Sequence, residues 1–252
     1  MFNNIPPITK NIIIINIVVY LVSNLFMYIL HNPNLYIWLA AYYPFSPHFK
    51  SWQIITHMFM HSPIGNGSGI MHIAFNMFTL SSFAFLEQIL GGKRYLILYF
   101  LSGIGAFVLF NAWEFIQIEM LASKLENAGF SIYDYFSGSS MTLHGTQASI
   151  DEQKGMLEKI DSILTTPLVG ASGAIFGVVA AFATLFPNEK LMIMFIPFPI
   201  KAKTLLLITV TISIFLGING NIGGVAHFAH VGGALVGFIL AKIWRNHLKR
   251  FN

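Results

Sequence analysis

The sequence has no cysteine among its 252 residues. That absence excludes a disulfide scaffold and any zinc or iron–sulfur site built on thiolates. Charge is scarce as well, with only 10% of residues being Asp, Glu, Lys or Arg. Soluble domains average about 25%. A water-soluble fold of this length needs more charge to cover its surface, so a soluble enzyme is strongly disfavoured. What the chain has in abundance is apolar: 55% hydrophobic residues, including 24 Phe and 11 Met, and a mean hydropathy of +0.67. Such a chain cannot stay disordered in water. The net charge is +4, but the basic residues do not cluster as a nucleic-acid-binding patch would. They sit at the ends of apolar runs.

A spanning helix needs about 20 mostly apolar residues, because the hydrocarbon core is about 30 Å thick. Six stretches qualify or come close: roughly Asn11–Leu30, Ile70–Leu90, Tyr95–Trp113, Leu168–Phe186, Ala202–Ile218 and Ile222–Trp244. The expected fold class is therefore all-α, a polytopic membrane bundle of six helices. Gly, Ser and Thr enrich the third, fifth and sixth stretches, as close packing of helices in lipid requires. The first stretch is too long for a signal peptide, and no A-x-A-like site follows it.

Lys and Arg mark the cytoplasmic side. With the amino terminus inside, Lys10, Lys93, Arg94, Lys190, Lys201, Lys203, Lys242, Arg245, Lys249 and Arg250 all fall inside. Lys50, Lys124, Lys154 and Lys159 fall outside, a bias of ten to four. Both termini are expected in the cytoplasm, in a bacterial inner membrane. The second, fourth and sixth helices then run from the outer face inward. Residues 31–69 form an outer segment rich in Pro, Trp, Tyr and Phe, suited to the headgroup interface. Residues 114–167 carry eight of the ten acids and form an aqueous insert. Within it, Ser149-Ile-Asp-Glu152 reads as a capping box. Met156, Leu157, Ile160, Ile163 and Leu164 follow at helical spacing.

Polar side chains inside spans are costly and so mark function. His72, Asn76, Ser172 and His230 each lie within about three turns of the outer end of an inward-running helix. Ser172 sits in the glycine turn Gly170-Ala-Ser-Gly173 at a helix start. There it is either a nucleophile beside free backbone N–H groups or a plain cap. Gly173 and Gly177 repeat at four residues, as do Gly233 and Gly237 after His230. Two such small-residue faces pack closely. That brings His230 within reach of Ser172, as an activated serine needs. His72 and Asn76 share one helix face, as oxyanion donors or as interhelical glue. Glu87, the only acid well inside a span, lies about 22 Å below His72. Serine chemistry here must run on a dyad.

These strings resemble the rhomboid intramembrane serine proteases: Gly170-Ala-Ser-Gly173, Ala229-His230 before Gly233 and Gly237, His72-Ile-Ala-Phe-Asn76, and Glu87 before Gly91-Gly92. The resemblance covers roughly residues 8–112 and 167–244. It implies cleavage of transmembrane or membrane-tethered proteins, with Ser172 as nucleophile and His230 as general base. The Ser172 N–H, His72 and Asn76 would hold the oxyanion, and Phe176 would pack on the His230 ring where a Tyr is common. Neither cofactor nor metal is implied, and the partners are the lipid bilayer and substrate proteins. No client and no oligomeric state is named by it.

Three departures stand out. Trp52 is followed by Gln53 where the family often has Trp-Arg, which leaves that loop without its usual anchor. The stretch from His61 to His72 is lengthened by Gly and Ser, and the 114–167 insert exceeds the family's minimal connection. Among rivals, His57 and His61 have zinc-motif spacing, but Met58 stands where a zinc protease needs Glu. A transporter would show a two-fold repeat, and none is visible. A non-catalytic relative that binds client helices would lack the Ser or the His.

Overall fold

A computed structural model describes residues 5–65, 67–132, 146–192, 198–219 and 226–248. The architecture is all-α apart from one two-stranded hairpin among the described residues, Lys190–Leu191 paired antiparallel with Ile200–Lys201. Helix α1 (Pro7–Asn24) starts on prolines, which need no partner for a missing N–H. Its remaining amino-terminal donors meet an acid from another helix. The Glu87 carboxylate accepts from Ile8 N–H at 3.0 Å, Thr9 N–H at 2.7 Å and the Thr9 hydroxyl at 2.8 Å. A buried carboxylate at the positive end of a helix is a cap supplied in trans. Helix α1 ends in a wide π turn over Leu25–Ile29.

Residues 31–65 hold two short helices, α2 (Asn34–Leu39) and α3 (Gln53–Thr56). Gln53 is fully buried at their centre. Its Nε2 donates to the carbonyls of Ile37 (3.0 Å), Trp38 (3.3 Å) and His48 (3.1 Å). Its Oε1 accepts from Lys50 N–H at 3.0 Å and Tyr42 N–H at 3.4 Å. The segment therefore has an anchor where the sequence comparison left none. A neutral amide both donates and accepts, which a guanidinium cannot do.

The expected second stretch is two helices, α4 (Gly69–Ser82) and α5 (Phe85–Leu90). The Ser81 and Ser82 hydroxyls both bond back to the Phe78 carbonyl, at 2.9 and 2.8 Å. Such back-bonding bends helices. Gly91, at φ 77°, then turns the chain into α6 (Gly92–Asn127). At 36 residues α6 is about 54 Å long and runs well beyond Trp113. Gly103 and Gly105 lie within it without breaking it, and Gly129, at φ 80°, ends it as a left-handed cap.

Helix α7 (Gln147–Thr165) packs back on the far part of α6. Its cap is Thr146, whose hydroxyl accepts from Ser149 N–H at 3.4 Å. The expected capping box at Ser149 is thus displaced by one turn, and Ser149 instead accepts from Gln153 at 3.1 Å. Ile160 and Leu164 of α7 join Ile118 and Leu125 of α6 and Tyr43 in a separate small core. Residues 133–145 of the insert, with Asp134, lie outside the described residues.

Helix α8 (Ser172–Leu185) is buried along most of its length and forms the centre of the bundle. Helix α9 (Ala202–Ile218) buries only Ala202, Ser213 and Gly217, and most of its large apolar side chains face outward. Helix α10 (His227–Leu248) packs against both α8 and α6. The first residues of the expected sixth stretch, 222–225, lie outside the described residues. Pro7–Ile29, Gly92–Asn127 and His227–Arg245 are long and apolar enough to cross a membrane, and α8 and α9 are shorter apolar helices.

Candidate active site

Ser172 is the first residue of α8, held there by the segment before it. Leu168 pairs with Ala41 as an isolated antiparallel bridge, with N–H to carbonyl distances of 3.0 and 2.7 Å. Gly170 donates its N–H to the His57 carbonyl at 3.0 Å. Its φ of 127° is open to glycine and strained for any other residue. A Cβ there would also lie 3.0 Å from His72 Nε2 and 3.5 Å from Ser172 Oγ. The turn thus brings its backbone between the serine and the histidine of α4.

His230 lies in the first turn of α10, and its Nε2 is 2.9 Å from Ser172 Oγ. Phe176, one turn below the serine, stacks on the imidazole at 4.2 Å with an interplanar angle of 2°. The helix crossing beneath is built on glycine. A Cβ at Gly177 would strike Ser102 of α6, and a Cβ at Gly237 would strike the Gly177 carbonyl. Gly173 is hemmed in by Ala106 of α6. Small residues on three helices let the backbones touch, which sets the depth at which His230 enters.

His72 and Asn76 lie on one face of α4, towards α3 and its following turn. Asn76 Nδ2 is 3.1 Å from His61 Nε2, and His72 Nδ1 is 3.3 Å from Ser62 Oγ. The His61 and His72 rings meet edge to face at 5.1 Å. His61 is held neutral: burial, with His72 beside it, pushes its pKa down to about 3. Burial likewise pushes His57 down to about 4. His57 Nδ1 sits 2.9 Å from the Gln53 carbonyl, so this imidazole serves the loop. Among the described residues no group of three His, Cys, Asp or Glu side chains is placed to hold a metal ion.

His72 and His230 thus approach the Gly170–Ser172 turn, while Asn76, one turn along α4 from His72, contacts His61. Sequence reasoning missed Ser62 and His61 as neighbours of His72 and Asn76. Only the His57/His61 spacing signalled His61, and it pointed towards metal. Nothing signalled Gln53 except its place after Trp52.

Comparison with known proteins identifies the family of the chain. The Rhomboid domain model matches residues 48–247. Over 240 residues the chain is 26% identical to the Rhomboid protease AarA of Providencia stuartii, covering 93% of this chain and 71% of that protein. A glycine-packed, all-α membrane bundle with this match over most of its length is an integral membrane protein, and the chain belongs to the rhomboid family.

Proposed function

We propose that the chain is an intramembrane serine endopeptidase working by a Ser172–His230 dyad. The observation that carries this reading is the 2.9 Å contact between His230 Nε2 and Ser172 Oγ under the stacked Phe176 ring. Ser172 Oγ attacks the scissile carbonyl carbon while its proton passes to His230 Nε2. The carbonyl oxygen becomes an oxyanion held by the Ser172 N–H, His72 and Asn76. The C–N bond then breaks and His230 protonates the leaving amine. Water, deprotonated by His230, hydrolyses the acyl-enzyme and restores the serine. The Glu87 carboxylate is engaged by Ile8 and Thr9, so it takes no part.

In this reading six segments cross a cytoplasmic membrane with both termini inside. The site opens near the outer face, and the substrates are transmembrane or membrane-tethered proteins. That the Providencia relative is a rhomboid protease supports the reaction class.

A fluorophosphonate probe tests the assignment on purified protein. Wild type should label, and Ser172→Ala and His230→Ala should not. Wild-type silence towards both the probe and model transmembrane substrates would favour a protein that binds client helices without cutting them.

A further inference from the structure

We infer that Ser62, in the lengthened segment before α4, is a positioning residue that holds His72 as the tautomer with its proton on Nε2. The inference rests on the protease reading above and adds to it the source of the oxyanion proton.

His72 presents its two ring nitrogens to different surroundings. Nε2 faces the Gly170–Ser172 turn, 3.0 Å from where a Cβ on Gly170 would stand. Nδ1 faces Ser62, with the Ser62 backbone nitrogen at 3.5 Å and its hydroxyl at 3.3 Å. A backbone N–H can only donate, so Nδ1 must be the acceptor. In a neutral imidazole the proton then sits on Nε2. An oxyanion needs a donor, so this is the only neutral tautomer of His72 that can help from Nε2. Both contacts are at the long end for hydrogen bonds, as catalytic groups often are before substrate tightens them.

Ser62 can do this because its segment is fastened at both ends. Ile64 donates its N–H to Asn24 Oδ1 at 2.8 Å, and Gly65 donates to the Tyr28 hydroxyl at 3.0 Å. Tyr28 belongs to the π turn that closes α1, and Asn24 immediately precedes it. π turns widen a helix by one residue and recur at functional sites. On the other side the chain re-enters α4 so tightly that a Cβ on Gly69 would strike the Pro63 carbonyl. The Gly/Ser-rich lengthening is therefore a bracket from the end of α1 to the Nδ1 side of His72.

The test uses full-length protein in micelles carrying ¹⁵N-labelled histidine, with His72→Ala to assign the His72 signals. In wild type, His72 should appear as the Nε2–H tautomer. Ser62→Pro, which removes the donating backbone N–H, should give a tautomer mixture and lower kcat on a model transmembrane substrate about fivefold at unchanged KM, the loss of one hydrogen bond. Ser62→Ala, which keeps the backbone N–H, should retain the wild-type tautomer and most of the activity. A wild-type His72 protonated on Nδ1 overturns the inference. So does a tautomer mixture in Ser62→Ala, a folded Ser62→Pro protein with the wild-type tautomer, or a tautomer mixture at wild-type kcat. A tautomer shift in a protein that cleaves nothing upholds the control of His72 by Ser62 and removes the protease reading instead.

Discussion

A Cβ placed on Gly233 would run into the backbone carbonyl of Gly173. The two residues lie on α10 and α8, each one turn or less below its polar partner, His230 and Ser172. The contact is backbone on backbone, so no rotamer change can relieve a larger residue there.

Gly233→Ala should therefore force α10 away from α8 and lower stability by about 1–3 kcal/mol, the usual cost of overpacking. The same shift moves His230 off Ser172. Thermal melting in detergent should fall and fluorophosphonate labelling should slow together. A variant with wild-type melting and wild-type labelling would contradict the backbone contact.

Phe176 is the other restraint on His230. Its ring lies flat on the imidazole, and truncating it frees the imidazole to rotate. Phe176→Ala is expected to lower kcat about 100-fold with little change in KM, since a misplacement near 1 Å costs on that order. Phe176→Tyr retains the ring face and should stay near wild type. Steady-state kinetics in proteoliposomes separates the two.

Gln53 offers a sharper discrimination. Gln53→Leu removes all five hydrogen bonds that tie residues 37–50 together. Gln53→Arg keeps donors for Ile37, Trp38 and His48 but offers Tyr42 and Lys50 no acceptor. Each donor left buried and unpaired costs about 1–3 kcal/mol. Both variants should show faster amide exchange over residues 37–53, with Gln53→Leu affected more. Equal protection in wild type and Gln53→Arg would mean that the acceptor half of the amide is idle.

The absence of cysteine makes orientation directly testable, because a single introduced thiol has no competitor. Lys154 is exposed on α7 in the insert. In intact cells, Lys154→Cys should react with an impermeant maleimide added outside. Reaction only after the membrane is opened would invert the proposed orientation.

Much of this site was legible because its signals are local. Glycines four apart on two helices announce that the helices touch, and a polar residue beside each set then marks the depth of contact. Ser172 and His230 could be paired on that ground. Phe176 followed from the family resemblance, one turn from the serine. The acid-free character of the site was also legible, since Glu87 is separated from His72 along one stretch.

Other features were not legible, and each is a contact between distant segments. Glu87 could be seen to lie far from the serine, yet its partners are Ile8 and Thr9, 79 and 78 residues away. The break after Ser82 depends on two hydroxyls choosing a backbone carbonyl over solvent. Helix α6 outlasted its apolar run because helix formation continues until a breaker appears, while hydropathy reports only where lipid ends. The start of α7 lies at Thr146, one turn before the capping box that the local motif at Ser149 suggests.

The sequence by itself determined the class of this protein. Scarce charge and long apolar runs exclude a water-exposed fold, and the placement of the remaining charges is the basis of the proposed orientation. Only the tertiary structure decided what surrounds the serine turn: Ala41 beside Leu168, the His57 carbonyl on Gly170, and Ser62 on His72. The reason is physical. Composition and periodicity report each residue's preference for water, lipid or helix, which is a one-body property. The approach of Ser62 to His72 and of Glu87 to Thr9 depends on where two separate segments end, and only the folded chain sets that.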